Sequence, residues 1–330
     1  MRALWTVVMG LGLLWGGYWF VGSQAVERGA ESWFADQAAQ GMIATRDTLV
    51  VRGFPNRFDL TVEGLHLADP ASGYGWRAPF VQIFSLTYKP WHVIAALPPS
   101  QSFQTPFQDV TLTSDKLQGS VVVVPGTALA LDRVTAVGDG LALRSSLGWL
   151  LAAKQARFGT RPDPADANAH EIGFEVSGLV PDPALMKVLA GQTNLPPEIE
   201  VVRLDSTATL SVPLDRYVAE TTPALNKLVI REGLIRWGSL VFFAKGSVVP
   251  DAQGFAEGRI DLRIEDWRQA LAAAVAMGVI KPEIAPTLDQ ALGLLAQQSG
   301  DPDVLNLPLS FQSGQVSLGP IPLGRGPQLR

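Results

Sequence analysis

The chain of 330 residues contains no cysteine, and this absence excludes several kinds of site at once. Without thiols there is no disulfide, no thiolate metal site, no cysteine nucleophile and no lipid-modified N-terminal cysteine. Charged residues make up only 17% of the chain and the formal net charge is -5, so there is no basic field for nucleic acid. Without disulfides, the fold has to be stabilised by its apolar core alone.

Residue patterns for catalysis are also scarce. The sequence has no HExxH, no GxSxG and no glycine-rich phosphate loop. Its three histidines are interpreted as a solvent-facing strand residue (His66), a structural or interfacial residue (His92) and the border of a polar loop (His170). A hydrolase with a dispersed site stays a distant alternative, because the chain order of such residues is free. The sequence therefore predicts a protein that is not an enzyme.

Two aspartate-rich segments resemble calcium loops at first sight. Asp301–Asp303 does not continue into an EF-hand, because the twelfth position is Gln312 rather than glutamate, and Asp163–Asp166 has no such continuation either. Turn-forming and helix-capping aspartates explain both segments. We therefore expect no bound metal and no cofactor.

The most informative segment is the uncharged run Ala3–Gly22. Its 20 residues would span ~30 Å as a helix, the thickness of the hydrocarbon core of a bilayer. Aromatic residues lie towards its ends, where they favour the headgroup level, namely Trp5, Trp15, Tyr18, Trp19 and Phe20. The run is longer than the core of a cleaved signal peptide, for which Ser23–Ala25 offers a cleavage site. The pattern favours a transmembrane anchor (1–24), single-pass in the inner membrane, with the bulk of the chain in the periplasm.

Beyond the anchor, the pattern predicts a helical stalk (25–48) and then a β-sheet domain (49–330). We expect this domain to be one body or two fused halves, about 49–160 and 171–330, on either side of the polar, turn-rich Arg161–His170. Alternating apolar residues predict many short strands, and Gly138–Gly140 is expected to be the turn of a hairpin over Leu131–Ser145. Two helices are predicted late in the chain, one capped by Asp266 and running to about Val279, the other over about Pro282–Gln298.

The predicted fold class is therefore α+β, mainly β. An N-terminal membrane helix and stalk precede a large curved antiparallel sheet with a few covering helices. The absence of strand–helix alternation argues against a parallel doubly wound fold.

The segment Arg52–Leu60, RGFPNRFDL, carries a resemblance to a known family. Together with the membrane segment and the closing Gly319–Gly324, it resembles domain-of-unknown-function family 2125, exported proteins of Gram-negative bacteria, over nearly the whole chain. More distantly, the arrangement is similar to AsmA-like envelope proteins. That resemblance implies a role in moving or sensing lipids, or in outer-membrane assembly. Physically, Gly53, Phe54 and Pro55 are interpreted as a structural turn that feeds the first strands into the sheet.

The leading hypothesis is a non-enzymatic protein that binds lipid, or another hydrophobic envelope component, in an apolar groove of its sheet. Ten apolar strand residues are the candidate groove residues, namely Phe58, Leu60, Val62, Phe84, Leu86, Leu210, Val212, Phe242, Ile260 and Leu262. The alternative is a structural or assembly factor that binds another envelope protein along a strand edge or the hairpin Asp266–Gln298. The same apolar faces could also close a solid core, and the sequence leaves that choice open.

Overall fold

The structure, a computed structural model, describes residues 1–329. The chain divides into two compact units, one made of Met1–Pro125 and Val134–Gly148, the other of Gly126–Arg133 and the chain from Trp149 onwards. The described residues contain 18 antiparallel strands and a long, apolar N-terminal helix, which confirms the predicted α+β, mainly β class.

The elements of the first unit are α1 (Arg2–Ala39), β1 (Ile43–Thr45), β2 (Thr48–Arg52), β3 (Arg57–Asp69), β4 (Tyr74–Leu86), β5 (Lys89–Leu97), β6 (Ser100–Gln104), β7 (Asp109–Thr113), β8 (Lys116–Val123) and β9 (Leu131–Ser145). The first three residues of β9 belong to the second unit. β3 is central, because β1, β2 and β4 all pair with it.

The core of the first unit lies between the second half of α1 and β3–β4. Phe34 of α1 packs in one buried cluster with Leu60, Val62, Leu65 and Val81. In β3, Gly64 has φ +63, and neither Gly64 nor the opposite Pro79 is paired, although the register of β3 and β4 is the same on both sides of them. Val62 and Leu65 are both buried in this cluster, so the alternation is interrupted at Gly64 without a change of register.

The hairpin expected over Leu131–Ser145 is wrong, because the segment is the single strand β9. Gly140 has φ +59 within this continuous strand and is not the turn of a hairpin. The backbone N–H of Asp115 donates to Asp139 O (2.9 Å), and a side chain on Gly140 would collide with the Asp115 carboxylate. A glycine at positive φ occurs inside strands as well as in turns, so composition alone does not separate the two.

The second unit contains β10 (Leu150–Asp163), β11 (Asp166–Val180), α2 (Pro183–Leu189), β12 (Ile199–Leu210), α3 (Val218–Thr221), β13 (Leu225–Trp237), β14 (Leu240–Pro250), β15 (Ala256–Glu265), α4 (Trp267–Ala276), α5 (Ala285–Gln298), β16 (Val304–Gln312), β17 (Gln315–Leu318) and β18 (Ile321–Arg325). From β10 to β18 every strand pairs antiparallel with the next one along the chain.

The polar segment Arg161–His170 does not separate two halves. β10 extends to Asp163 and β11 starts at Asp166, so the segment is a tight hairpin. The backbone N–H of Ala165 donates to Asp163 Oδ1 (2.8 Å), a local bond that lets polar residues form a turn between two long strands.

The predicted helical hairpin is present as α4 and α5, which pack on β14–β16. Trp267 and Ala296 form a buried cluster with Leu240, Ile264 and Leu305. Asp266 precedes α4 as predicted, but its side chain does not cap the helix. Its carboxylate accepts a hydrogen bond from the Ser239 hydroxyl (2.5 Å) instead.

Candidate functional site

Strands β10–β16 form a sheet with one apolar and one charged face. Cross-strand partners in an antiparallel sheet lie on the same face, so the register defines rows across the strands. Two adjacent rows are Ala156–Val176–Val202–Ile235–Phe242–Ile264–Leu305 and Phe158–Phe174–Leu204–Gly233–Ala244–Leu262–Leu307. Both rows run through seven strands without a polar side chain.

The helices cover only one end of this apolar face. The α4–α5 hairpin packs over β14–β16, where Phe242, Ile264 and Leu305 lie. Towards β10–β13 the same rows contain exposed side chains, since Phe158, Phe174 and Ile235 each retain 38% of their surface. Phe158 and Phe174 are direct cross-strand partners.

Glycines bring strands of this sheet close together. A Cβ on Gly246 of β14 would collide with the backbone of Arg259 and Ile260 in β15, and backbone atoms have little freedom to move. Gly173 of β11 is different, because a Cβ there would meet nothing within 4 Å. The structure therefore requires a glycine at position 246, whereas position 173 has room for a larger residue.

The opposite face of the sheet carries a ladder of ion pairs. Arg203 Nε donates to Glu175 Oε2 (2.7 Å), and Arg231 Nη2 donates to Asp205 Oδ1 (2.5 Å). Hydrogen bonds to these carboxylates raise the pKa of Arg203 and Arg231 above the ordinary value for arginine. All of these side chains are a third or more exposed, so each pair contributes only about 0–1 kcal/mol.

An open cavity of about 470 Å³ lies on this charged face. Its lining includes Arg231, Phe243, Lys245, Arg263 and Asp261. The charged side chains in its lining distinguish this cavity from the apolar rows on the other side of the same strands, so the two faces suit different ligands.

The ten candidate groove residues do not form one surface. Five lie in the first unit, where α1 covers Phe58, Leu60 and Val62. Phe84 and Leu86 point to the other face of that sheet, because they pair with Asp59 and Arg57. These five residues therefore lie on two different faces.

The other five candidates lie in the second unit. Phe242, Ile260 and Leu262 are on the apolar face of β14 and β15. Leu210 ends β12, and Val212 lies in the turn that follows rather than in the strand. The exposed aromatic pair Phe158–Phe174 was not among the candidates, although Ile172, Phe174 and Val176 occupy every second position of the sequence there, as in a strand.

A second feature is the contact between α1 and the loop Gly53–Arg57. Trp15 Nε1 donates to Pro55 O (3.0 Å), and Trp19 Nε1 donates to Arg57 O (2.8 Å). The Phe54 ring packs edge-on against Trp19 at 5.3 Å between ring centroids. The turn predicted at Gly53, Phe54 and Pro55 thus exists, with Gly53 at φ +104, and it lies on the helix.

Two glycines of α1 differ in what surrounds them. The ring of Phe58 lies where a side chain on Gly22 would be, whereas a side chain on Gly12 would meet nothing within 4 Å. The helix is therefore packed against the sheet at Gly22 and free at Gly12. Among the described residues, α1 is the one helix long and apolar enough to cross a membrane. Its most apolar stretch of 18 residues has a mean hydropathy of 1.5, and none of these residues is buried.

The histidines lie in three different strands. His92 Nε2 is 2.9 Å from Ser120 Oγ, His66 is half-buried in β3, and His170 is only 3% exposed in β11. Burial lowers the pKa of His170 below its ordinary value of 6.5. Within residues 1–329 there is no cluster of three or more residues able to ligate a metal.

The aspartate-rich segments form turns. Asp301 Oδ1 accepts from the Asp303 backbone N–H (3.0 Å), and Asp166 Oδ1 accepts from the Asn168 backbone N–H (2.9 Å). Asp303 is also 3.5 Å from Arg268 Nη1. Backbone N–H groups and a guanidinium occupy oxygens that a cation site would need.

Comparison with known proteins identifies a family over most of the chain. No curated protein and no solved structure gives a significant match. Residues 19–327 match the family described as "uncharacterized protein conserved in bacteria", domain-of-unknown-function family 2125. The match includes the α1-bound loop, both units and the apolar sheet face, and the chain belongs to this family.

Proposed function

We propose that this chain is a single-pass inner-membrane protein whose periplasmic body binds phospholipid acyl chains on the apolar face of β10–β13. The observation that carries the proposal is the aromatic pair Phe158–Phe174, which remains exposed beyond the end of the helical cover. Exposed contiguous apolar surface in an otherwise folded protein normally marks a ligand or a partner.

The chemistry of the surface favours an acyl chain over a polar ligand. An acyl chain has no hydrogen-bonding group, and the two apolar rows offer none, so neither partner loses bonds to water on binding. A ligand with hydroxyl or charged groups would require convergent polar side chains, which lie on the opposite face of these strands. We therefore assign the chain a binding role rather than a catalytic one.

The contacts of α1 support an uncleaved anchor. Cleavage at Ser23–Ala25 would remove the hydrogen bonds that Trp15 and Trp19 donate to the loop, and the Tyr18 hydroxyl bond to Thr87 O (2.8 Å). A segment discarded after export needs no such contacts with the mature body.

Photocrosslinking in cells tests the lipid proposal. The full-length chain carries p-benzoylphenylalanine in place of Phe158 or Phe174, cells are irradiated, and the purified protein is analysed by intact mass and lipid mass spectrometry. Phe243, which lies on the charged face of the same sheet, is the matched control position. We expect phospholipid adducts at Phe158 and Phe174 and none at Phe243. No adduct at either position, or equal adducts at all three, would overturn the proposal.

A second candidate function is supported by the helical hairpin. Three apolar side chains at its free end are exposed, namely Met277, Val279 and Ile284. They lie away from the cluster that attaches α4 and α5 to the sheet, so they offer a surface to another envelope protein.

Crosslinking from Val279 separates the two candidates. A photocrosslinker there should yield one discrete protein adduct if the chain is an assembly factor. Loss of that adduct on Ile284→Asp would assign it to this surface. If Val279 gives no protein adduct while Phe174 gives lipid, the lipid proposal stands alone.

A further inference from the structure

The loop Gly53–Arg57 lies beside a part of α1 that is still apolar and uncharged. Its contacts with α1 are made by Trp15, Gly16, Trp19 and, through the following strand, Gly22. All four lie within the uncharged run Ala3–Gly22, whose 20 residues measure ~30 Å and match the hydrocarbon core in length. From Trp15 to Gly22 the helix rises ~10 Å. The loop therefore lies within the last third of the apolar run and not beyond its end.

The free side of the helix indicates how far the membrane reaches. At the same level as the loop, Phe20 and Val21 are apolar and exposed, whereas the next exposed residue along the helix is Gln24. If the bilayer ended at Trp15, only about 13 residues, or ~20 Å of helix, would be left to cross it, which is too short. The bilayer therefore extends to Phe20–Val21, and the loop meets it.

The backbone of the loop is suited to this position. Non-helical backbone at membrane depth has to have its polar groups satisfied by the protein. Besides the two indole bonds to Pro55 O and Arg57 O, Asn56 O accepts from the Thr87 backbone N–H (3.0 Å). Gly53 O accepts from the Arg57 backbone N–H (2.9 Å), and the Tyr18 hydroxyl satisfies Thr87 O. These carbonyls have protein donors and do not depend on water.

The outward side chains match the boundary between headgroups and acyl chains. Phe54 is 64% exposed and Tyr88, in the neighbouring β4–β5 turn, is 55% exposed. The strand ends that carry these two turns hold the exposed cations Arg52, Arg57 and Lys89. Aromatic rings favour the depth of the headgroups, and cations at the rim attract lipid phosphates.

We propose that Phe54 and Tyr88 insert into the outer leaflet of the membrane and seat the first unit directly on it, with α1 as the anchor. The two residues and the three neighbouring cations form a membrane-contact surface that the anchor alone does not require. A helix anchor would equally permit a body held away from the membrane on a free segment. This inference rests on the proposed membrane anchoring of α1 and adds a second contact with the lipid.

The absence of cysteine makes the test direct, because single cysteines label without competition. Full-length Phe54→Cys and Tyr88→Cys variants are labelled with an environment-sensitive nitrobenzoxadiazole dye. They are reconstituted in vesicles of phosphatidylethanolamine and phosphatidylglycerol that contain nitroxide-bearing lipids. Phe107→Cys is the matched control, an aromatic residue 83% exposed in the β6–β7 turn. The neighbouring Pro106 touches Gly73 at the far end of β3–β4, ~40 Å along the strand from Arg57.

We expect blue-shifted emission and quenching by shallow nitroxide lipids at Phe54 and Tyr88, and neither effect at Phe107. Leu11→Cys, in the free part of α1, reports on the anchor and should be quenched by deep nitroxide lipids. Quenching at Leu11 without quenching at Phe54 and Tyr88 would overturn the contact surface and leave the anchor intact. No quenching at any position would overturn both. Tyr88 is 55% exposed and lies outside the loop Gly53–Arg57, so a label there keeps the test valid if substitution of Phe54 disturbs the helix.

Discussion

Replacement of Trp267 tests whether the helical hairpin is held to the sheet by packing. Trp267 is 1% exposed, its ring lies on Gly293 and beside Ala296, and its Nε1 donates to Pro302 O (3.0 Å). A buried indole removes about 200 Å² from water, worth about 5 kcal/mol at about 25 cal/mol per Å², and core tryptophan-to-alanine changes cost about 3–5 kcal/mol. We expect Trp267→Ala to lower the free energy of unfolding by about 4 kcal/mol.

Trp267→Phe separates packing from hydrogen bonding. Phenylalanine keeps most of the apolar contact and loses the indole N–H, and Pro302 O still accepts from Arg268 Nη1 (3.3 Å), so no buried acceptor is orphaned. The expected loss is about 1–2 kcal/mol. Urea unfolding in mild detergent gives the free energies, and hydrogen exchange of α4 and α5 shows whether the hairpin detaches. A loss below about 1 kcal/mol for Trp267→Ala would refute the reasoning, and Phe107→Ala should change stability by less than about 0.5 kcal/mol.

Three further changes are predicted from local geometry. The pKa of His170 is lowered in the folded state, so its contribution to the free energy of unfolding should be complete above the unfolded pKa of 6.5. Below that pH the free energy of unfolding should fall by up to about 1.4 kcal/mol per pH unit. Urea unfolding at pH 5 and pH 7.5 measures this difference, and the His170→Asn variant should not show it. Gly22→Leu should displace the Phe58 ring that packs on α1 and lower the free energy of unfolding by about 1–3 kcal/mol. Gly12→Leu, where a side chain would meet nothing within 4 Å, should change thermal stability little. Equal effects of the two substitutions would contradict the packing at Gly22. Gly246→Ala should lower the free energy of unfolding in urea by about 1–3 kcal/mol, because the new Cβ would collide with the backbone of β15. Gly173→Ala, the control, should leave it nearly unchanged. An unchanged free energy for Gly246→Ala would show that β14 and β15 can separate without penalty.

Local periodicity predicted which residues share a face. Within Leu204–Leu214 every second residue in the sequence is apolar or small; in the structure β12 ends at Leu210, and Leu204 and Ala208 lie on its apolar face. The period of a strand is a covalent property of the chain, so it can be read from the sequence alone. The hairpin predicted around Gly138–Gly140 is wrong because a glycine at positive φ also occurs inside a strand, and pairing with strands distant in sequence decides between the two.

The sequence did not predict which apolar strand faces are covered by helices and which stay exposed. Leu60 and Phe174 both belong to strands with alternating apolar residues. Leu60 packs with Phe34 of α1 and is only 8% exposed, whereas Phe174 is 38% exposed. Which face receives a helix depends on contacts between segments far apart in sequence. Candidate groove residues chosen by alternation alone therefore include both core residues and exposed ones, and only the structure separates them.

The sequence also could not predict the hydrogen-bond partners of the aromatic residues of α1. Trp15 and Trp19 were expected at the headgroup level because indoles favour that depth, where the N–H meets water and lipid. In the structure both indole N–H groups instead donate to carbonyls of the loop Gly53–Arg57. The two roles are compatible, since backbone whose carbonyls have protein donors could lie at the membrane depth proposed for this loop. An aromatic belt beside a single anchor can therefore be a docking site for the protein's own body, and composition cannot distinguish this role from a belt that faces only lipid.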